Sequence, residues 1–355
     1  MLTPLYLIFI LLQEPVTPPA ETLVFTVETF FELSPEMKAF LDEYVMIRVT
    51  EMDRLKSLLY NIFDKDKLNL EYSNNQTYTP KKTFAYRSGN CLSFTGMFIS
   101  MARYCGLYAQ FQEVSDISSW SQNGKFTIYN RHMNAIVFID GRRMEVDFNY
   151  QIDKGFRMVH HATDSRAISH FYNNLGAEAL AVATYPKARF YFEKAIEADP
   201  EFSQPWTNLG VFYRVTGDYK KAEELYLHAQ ELNRFDYTAK MNLAHLYELQ
   251  GKKRQSDILK REIRHFRESN PYYHFALGKT AFDNGDFKKA VSHLKRAVRL
   301  HSTHPKFLVT LAAAYQKIGK LRKARKLVKK AKTQAKTQQE KVLYDLKLQL
   351  LFAEK

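Results

Sequence analysis

The chain has 355 residues, 45% hydrophobic and 14% aromatic, with 52 Lys/Arg against 38 Asp/Glu and a net charge of +14. That length and apolar content suit two or three folded domains and exclude a disordered chain. Two cysteines exclude a disulfide-rich scaffold; no Cys/His cluster has zinc spacing, so neither a metal nor a cofactor is expected, and the isolated pair His160-His161 reads as polar linker.

Residues 1–23 come first. Leu5 to Leu12 is an uninterrupted run of eight apolar residues, which suits the hydrophobic region of a signal peptide and is too short to span a bilayer. No Lys or Arg precedes it and no A-x-A site follows, while Pro15, Pro18 and Pro19 keep the next stretch extended. Export to the periplasm is the expectation here. The alternative is a cytoplasmic protein in which the run is a buried or flexible arm.

The stretch RSGNCLSFTGMFISMARYCGLYAQ carries apolar residues at Phe94, Met97, Phe98, Met101 and Cys105, spacings of three and four that line one face of a helix. Cys91 then sits at the helix start, where the macrodipole and the backbone N–H groups favour a thiolate. Cys105, on the apolar face of the same helix, reads as a small buried hydrophobe. Further on, two runs in NRHMNAIVFIDGRRMEVDFN are joined by Asp140-Gly141, a type I′ hairpin dipeptide. If those two residues form the loop, paired positions sum to 281, so Asn134 opposes Asp147 and His132 opposes Asn149. His132 and Asp147 then share a face as diagonal neighbours roughly 7–8 Å apart at Cα. A helix-start thiol with a His–Asp pair suits nucleophilic catalysis: the imidazole takes the thiol proton and later protonates the leaving group, while the carboxylate orients the ring.

The order Cys91, His132, Asp147 resembles the transglutaminase-like superfamily of papain-like folds, from about Phe40 to Tyr150 and most closely at Gly89–Val114 and Arg131–Phe148. The resemblance implies an α+β papain-like (transglutaminase-like) domain over 24–150, with Cys91 as nucleophile, His132 as base and Asp147 as its orienting partner. It also implies a cysteine peptidase, amidase or acyltransferase working through a thioester. An oxyanion site needs two donors. One is the Cys91 backbone N–H, and the second is sought in Asn90 or Tyr86. Leu92 stands where many members of the family carry Trp, so no substrate preference carries over.

After a linker, 151–168, the chain from 169 to 338 falls into five rows of 34 residues. One column is Leu throughout (Leu175, Leu209, Leu243, Leu277, Leu311), and the next is small (Gly176, Gly210, Ala244, Gly278, Ala312). Another holds Ala183, Gly217, Gly251, Gly285 and Gly319, the turn between two helices. Trp206, Leu209, Gly210, Tyr213, Ala222 and Tyr226 together resemble a tetratricopeptide repeat, which implies an all-α superhelix with a peptide-binding groove and a capping helix at 339–355. Row three, with Ser256, Lys260 and Ile263, is the weakest. Asn174, Asn208 and Asn242 occupy one column of the first helices, where an amide facing the groove can bind an extended peptide; His245 and Lys279 would add positive charge there.

From Lys317 to Lys336 there are ten Lys/Arg and no acid, a face suited to weak contact with an anionic surface. No aromatic residue from Leu321 to Gln339 interleaves with those charges to stack on bases, so no nucleic-acid partner is expected. The reading is a bacterial-type, two-part protein: a cysteine enzyme acting on amide bonds, followed by a repeat array that recruits a protein or peptide. Its rival is a non-catalytic assembly scaffold with a vestigial papain-like site.

Overall fold

The computed structural model describes residues 24–73, 76–123, 126–148, 158–334 and 338–353; the apolar run Leu5–Leu12 and residues 151–157 of the expected linker lie outside the described residues. These residues form two compact units. The first takes in described residues up to Phe111 together with Asn134–Phe148 and Ala162–Asp236. The second takes in Gln112–Met133, the described residues up to His161, and those from Tyr237 onward.

The first unit opens with three helices, α1 (Val27–Phe31), α2 (Pro35–Tyr44) and α3 (Glu51–Phe63). Each begins where a Ser or Thr oxygen accepts a backbone N–H three residues on: Thr26 from Thr29, Ser34 from Met37 and Thr50 from Asp53. The two-residue strand β1 (Glu71–Tyr72) follows, then α4 (Pro80–Tyr86), β2 (Ser88–Gly89) and α5 (Cys91–Tyr104). Every residue of α5 from Leu92 to Ala102 is buried. Met37 and Leu41 on α2 and Leu55, Leu58 and Ile62 on α3 are buried as well.

The longer strands are β3 (Tyr108–Asn123), β4 (Phe126–Ile139), β5 (Arg142–Val146) and β6 (Met158–Ala162), in the order β5-β4-β3-β6. β1 and β2 pair in parallel as a separate sheet. Among the described residues the strands make only these two small sheets, short of the papain-like layout expected over 24–150. The β4–β5 hairpin has the expected register. Ala135 opposes Val146 and Ile139 opposes Arg142, and both loop residues take positive φ, 49° at Asp140 and 71° at Gly141, as a type I′ turn requires.

The remaining helices alternate in pairs: α6 (Asp164–Ala181) with α7 (Tyr185–Ala198), α8 (Ser203–Thr216) with α9 (Tyr219–Leu232), α10 (Tyr237–Leu249) with α11 (Lys253–Ser269), α12 (Pro271–Asp283) with α13 (Phe287–Leu300), and α14 (Pro305–Lys317) with α15 (Leu321–Thr333). α16 (Gln338–Ala353) packs on α15. The small-residue column is where each pair closes. A Cβ on Gly176 would lie 2.6 Å from the Phe192 ring, one on Gly210 2.6 Å from Tyr226, and one on Gly278 2.6 Å from Leu294. Ala188, Ala222, Ala290 and Ala324 on the second helices are sealed, and in row three Ser256 is buried at the same column and Ile263 at the column of Ala195, Ala229, Ala297 and Ala331. The weakest row on paper therefore closes like the others.

Candidate functional site

Cys91 is the first residue of α5, half-buried, with Asn90 as the cap. The approach to it is tight: a Cβ on Gly89 would lie 2.7 Å from Ser93 Cβ, so the segment entering the helix needs a residue without a side chain there. β1 runs beside that segment. The Glu71 N–H donates to the Arg87 carbonyl at 2.9 Å, the Ser73 N–H donates to the Gly89 carbonyl at 2.9 Å, and Tyr72 is set opposite Gly89. The Tyr72 ring packs edge-on against Phe94, centroids 5.9 Å apart. Burial, then the Cys91 charge and that of Asp147, push the Tyr72 hydroxyl up to about 12.

Cys91 and Asp147 each lie near enough to Tyr72 for their charges to act on its hydroxyl. Asp147 directly follows the last residue of β5, where continuation of the observed register sets it opposite Asn134. Asn134 donates to the Glu145 carboxylate at 2.7 Å. His132 lies on β4 two residues before Asn134 and is buried, 6% exposed. Cys105 is sealed inside the core, and burial pushes its thiol up to about 11.

The two residues expected to supply the second oxyanion donor are engaged elsewhere. The Asn90 side-chain oxygen accepts from the Ser93 N–H and hydroxyl, both at 3.0 Å, and its amide nitrogen donates to the Thr77 hydroxyl at 2.8 Å. Tyr86, 58% exposed, packs its ring edge-on to Tyr78 at 5.1 Å. Tyr72 is the residue that sequence reasoning missed. Its only signal is a short extended run before a Pro-started helix, and nothing local says that this run pairs in parallel with the residues leading to Cys91.

On the repeats, the Asn208 side-chain amide donates to Oδ1 of Asn173 at 2.8 Å, so the inter-repeat amide contact uses Asn173 rather than Asn174, which is half-buried on α6. Asn242 turns back to the Thr238 carbonyl at 3.0 Å. Lys279 pairs with Asp283 one turn along α12. His245 does line a concavity of about 380 Å³ with Met241, Glu248, Lys260, Arg264 and Tyr273.

Charge is sorted along the array. The second helices α7 and α9 are near neutral, whereas α11, α13 and α15 together hold eighteen Lys/Arg against three Asp/Glu, all three on α11. The basic face therefore begins well before the expected 317–336. It includes a concavity of about 500 Å³ lined by His274, His293, Lys295, Arg296 and Arg299. Among the described residues no His, Cys, Asp and Glu side chains are grouped to hold a metal, and no helix is long and apolar enough to cross a membrane.

Family models described as tetratricopeptide repeat match residues 191–224 and 281–344. The carboxyl-terminal helices are tetratricopeptide repeats. An uncharacterized protein, ycf37, of Guillardia theta is 33% identical over 64 residues, 18% of this chain and 36% of that relative; the match thus spans about a third of the relative's length. Among solved structures, a thermophilic tetratricopeptide protein of Thermus thermophilus is 22% identical over 50% of this chain and 97% of its own, with a TM-score of 0.27. YrrB, described as a tetratricopeptide protein with an unusual peptide-binding site, is 16% identical over 49% of this chain and 90% of its own, with a TM-score of 0.26. Both family matches fall within the repeats, so the reading of residues 24–150 rests on the local geometry around Cys91.

Proposed function

We propose that this chain is a transglutaminase-like cysteine enzyme acting on amide bonds of protein or peptide substrates, and that its tetratricopeptide repeats recruit the protein. Repeats of this kind bind protein or peptide partners, and the basic second helices favour an anionic surface on whatever is recruited. The observation that carries the enzyme reading is the placement of Cys91. It is a half-buried thiol at the start of a fourteen-residue helix that is entered through the tight Gly89 and capped by Asn90. Cys105, at the far end of the same helix, is instead sealed in the core, where burial pushes its thiol up.

In this reading His132 takes the Cys91 proton and Asp147 holds the imidazole in the donating tautomer. The thiolate attacks the amide carbonyl, the amine leaves with a proton from the imidazolium, and the thioester passes to water or to a second amine. Hydrolysis is favoured over cross-linking because water needs no second binding site.

The test is the pH dependence of Cys91 alkylation, followed by mass spectrometry, in the wild type, His132→Ala and Asp147→Asn. An active triad gives a wild-type thiolate populated well below the free-cysteine value of about 8.5 and a return toward it in His132→Ala. Cys105 stays unlabelled until the fold opens. Identical titrations near 8.5 in all three proteins would leave the non-catalytic assembly scaffold as the function.

A further inference from the structure

Glu178 belongs to the first repeat helix, α6, yet its carboxylate ends a run of hydrogen bonds that begins in the first turn of α5, beside Cys91. The Ser93 backbone N–H and the Ser93 hydroxyl both donate to Oδ1 of Asn90, each at 3.0 Å. Nδ2 of Asn90 donates to the Thr77 hydroxyl at 2.8 Å, and that hydroxyl donates to Oε1 of Glu178 at 2.6 Å. The neighbours of Thr77 hold the same turn. The Asn90 N–H donates to the Gln76 carbonyl at 3.2 Å, and the Tyr78 N–H donates to the Ser93 hydroxyl oxygen at 2.8 Å.

The direction of the run is forced. A backbone N–H can only donate, so Asn90 must show its oxygen to Ser93 and its NH2 group to Thr77. The Thr77 oxygen therefore accepts, and its single proton needs an acceptor on the far side. Glu178, 101 residues along the chain, supplies it. Thr77 is 4% exposed and Asn90 9%, so solvent is poorly placed to replace a lost partner.

We propose that Glu178 is a positioning residue for Cys91, acting through Thr77 to hold the Asn90 amide in the orientation that caps α5; this rests on Cys91 being the nucleophile. Without the carboxylate, the Thr77 proton turns back toward the Asn90 NH2 group and two donors face each other. The amide then loses its fixed orientation and the first turn of α5 loses its cap. That turn supplies the N–H groups and the dipole that favour a thiolate at its first residue. The first repeat is thereby part of the thiol site as well as part of the recruiting array.

The experiment follows iodoacetamide alkylation of Cys91 against pH in the full chain, read by mass spectrometry, with Cys105 unlabelled as the sign that the unit is folded. Thr77→Val and Glu178→Leu break the run. Thr77→Ser keeps the hydroxyl and Glu178→Gln keeps an acceptor oxygen. Each breaking substitution is expected to raise the pH of half-maximal reaction by roughly half a unit, and each conservative one to stay within about 0.2 unit of wild type. Thr77→Val and Glu178→Leu combined should shift it no further than either alone, because they interrupt one run. If Glu178→Leu exposes Cys105, the two Thr77 variants decide. A lowered thermal midpoint with the Cys91 titration unmoved, or shifts that add in the double variant, overturns the assignment and leaves the enzyme reading standing. A wild-type Cys91 that titrates as a free cysteine, near about 8.5, overturns the enzyme reading and this assignment with it.

Discussion

The first two repeats and the last three are built on the same columns and used differently. In α6–α9 the notch left by glycine is filled by an aromatic ring, Phe192 against Gly176 and Tyr226 against Gly210, and α6 is tied to the amino-terminal elements. Phe25 stacks on Tyr172 at 5.2 Å, the Thr77 hydroxyl donates to Glu178 at 2.6 Å, and Arg103 grips Asp164 with two bonds of 2.7 and 2.9 Å. In α12–α13 the same notch takes Leu294. There the variable columns carry charge instead, with no acid on α13 or α15. The repeated columns report only that helices pair. The columns between them differ from pair to pair: α6 carries the ties to the body that holds Cys91, and the last three pairs carry the basic second helices.

The sharpest way to break that division uses Cys105, which is sealed in the first unit and reacts only when that unit opens. Tyr226→Ala removes a fully buried ring and should cost about 3–5 kcal/mol, lowering the denaturant midpoint at which Cys105 becomes alkylatable. Leu294→Ala should cost about 2–5 kcal/mol in the second unit and leave the Cys105 midpoint where it was. If Leu294→Ala moves Cys105 as far as Tyr226→Ala does, the two sets of repeats unfold as one body and the division fails.

A smaller effect is expected at the tie itself. Arg103 sits at the end of α5, donates to the Ala109 carbonyl at 3.1 Å, and pairs in a fork with Asp164 at the start of α6; both side chains are about a third exposed. Arg103→Ala should cost about 1–2 kcal/mol by unfolding, with the partial exposure discounting the charged bonds. Arg103→Lys should recover less than half of that loss, because an ammonium cannot make the planar two-bond grip. Full recovery by Lys would mean that charge alone, rather than geometry, joins α5 to α6.

Much of this was legible in the sequence because it is written in periods. The 34-residue columns located every helix pair, and Asp140-Gly141 fixed the hairpin register down to Ala135 opposite Val146. What stayed hidden depended on pairing between segments far apart in the chain. A two-residue strand has no period of its own, so Tyr72 could not be placed beside Gly89. Asn90 advertised itself as a donor by adjacency to Cys91, yet capping competes for the same amide and wins, since it satisfies helix N–H groups that have no other partner. Asn173 outcompeted Asn174 for Asn208 because the two repeats meet with a one-residue offset that identical columns do not reveal.

The charged half of the comparison can be sharpened without touching stability. Lys295, Arg299 and Lys326 are exposed, and reversing all three to Glu should shift the thermal midpoint hardly at all, each change being worth less than about 0.5 kcal/mol. Association with vesicles containing an anionic phospholipid should weaken by about 1 kcal/mol per charge removed, and the wild-type association should fade as salt is raised. Binding that is equal for anionic and neutral vesicles would show that the basic face has no anionic surface to meet.

The smallest effect lies where the two kinds of region differ in how they treat a carboxylate. The acids of the last repeats lie open to water, but Glu178 on α6 is turned into the first unit, where burial raises its carboxyl above the usual range against the opposing pull of the Thr77 hydroxyl. A raised folded-state value means that the native protein holds this proton more tightly than the unfolded chain does. Stability is therefore fullest at pH below the unfolded value of about 4.3 and declines as pH rises through the higher folded value. Above that window the ionised carboxylate is a standing penalty. Glu178→Gln keeps an oxygen for Thr77 and removes the charge, so it should raise the thermal midpoint slightly at pH 7 and make no difference below about pH 4. A stabilisation of the same size at both pH values would show that packing, not the buried charge, governs this position, and a loss at pH 7 would show that the Thr77 bond needs the full negative charge to hold α6 in place.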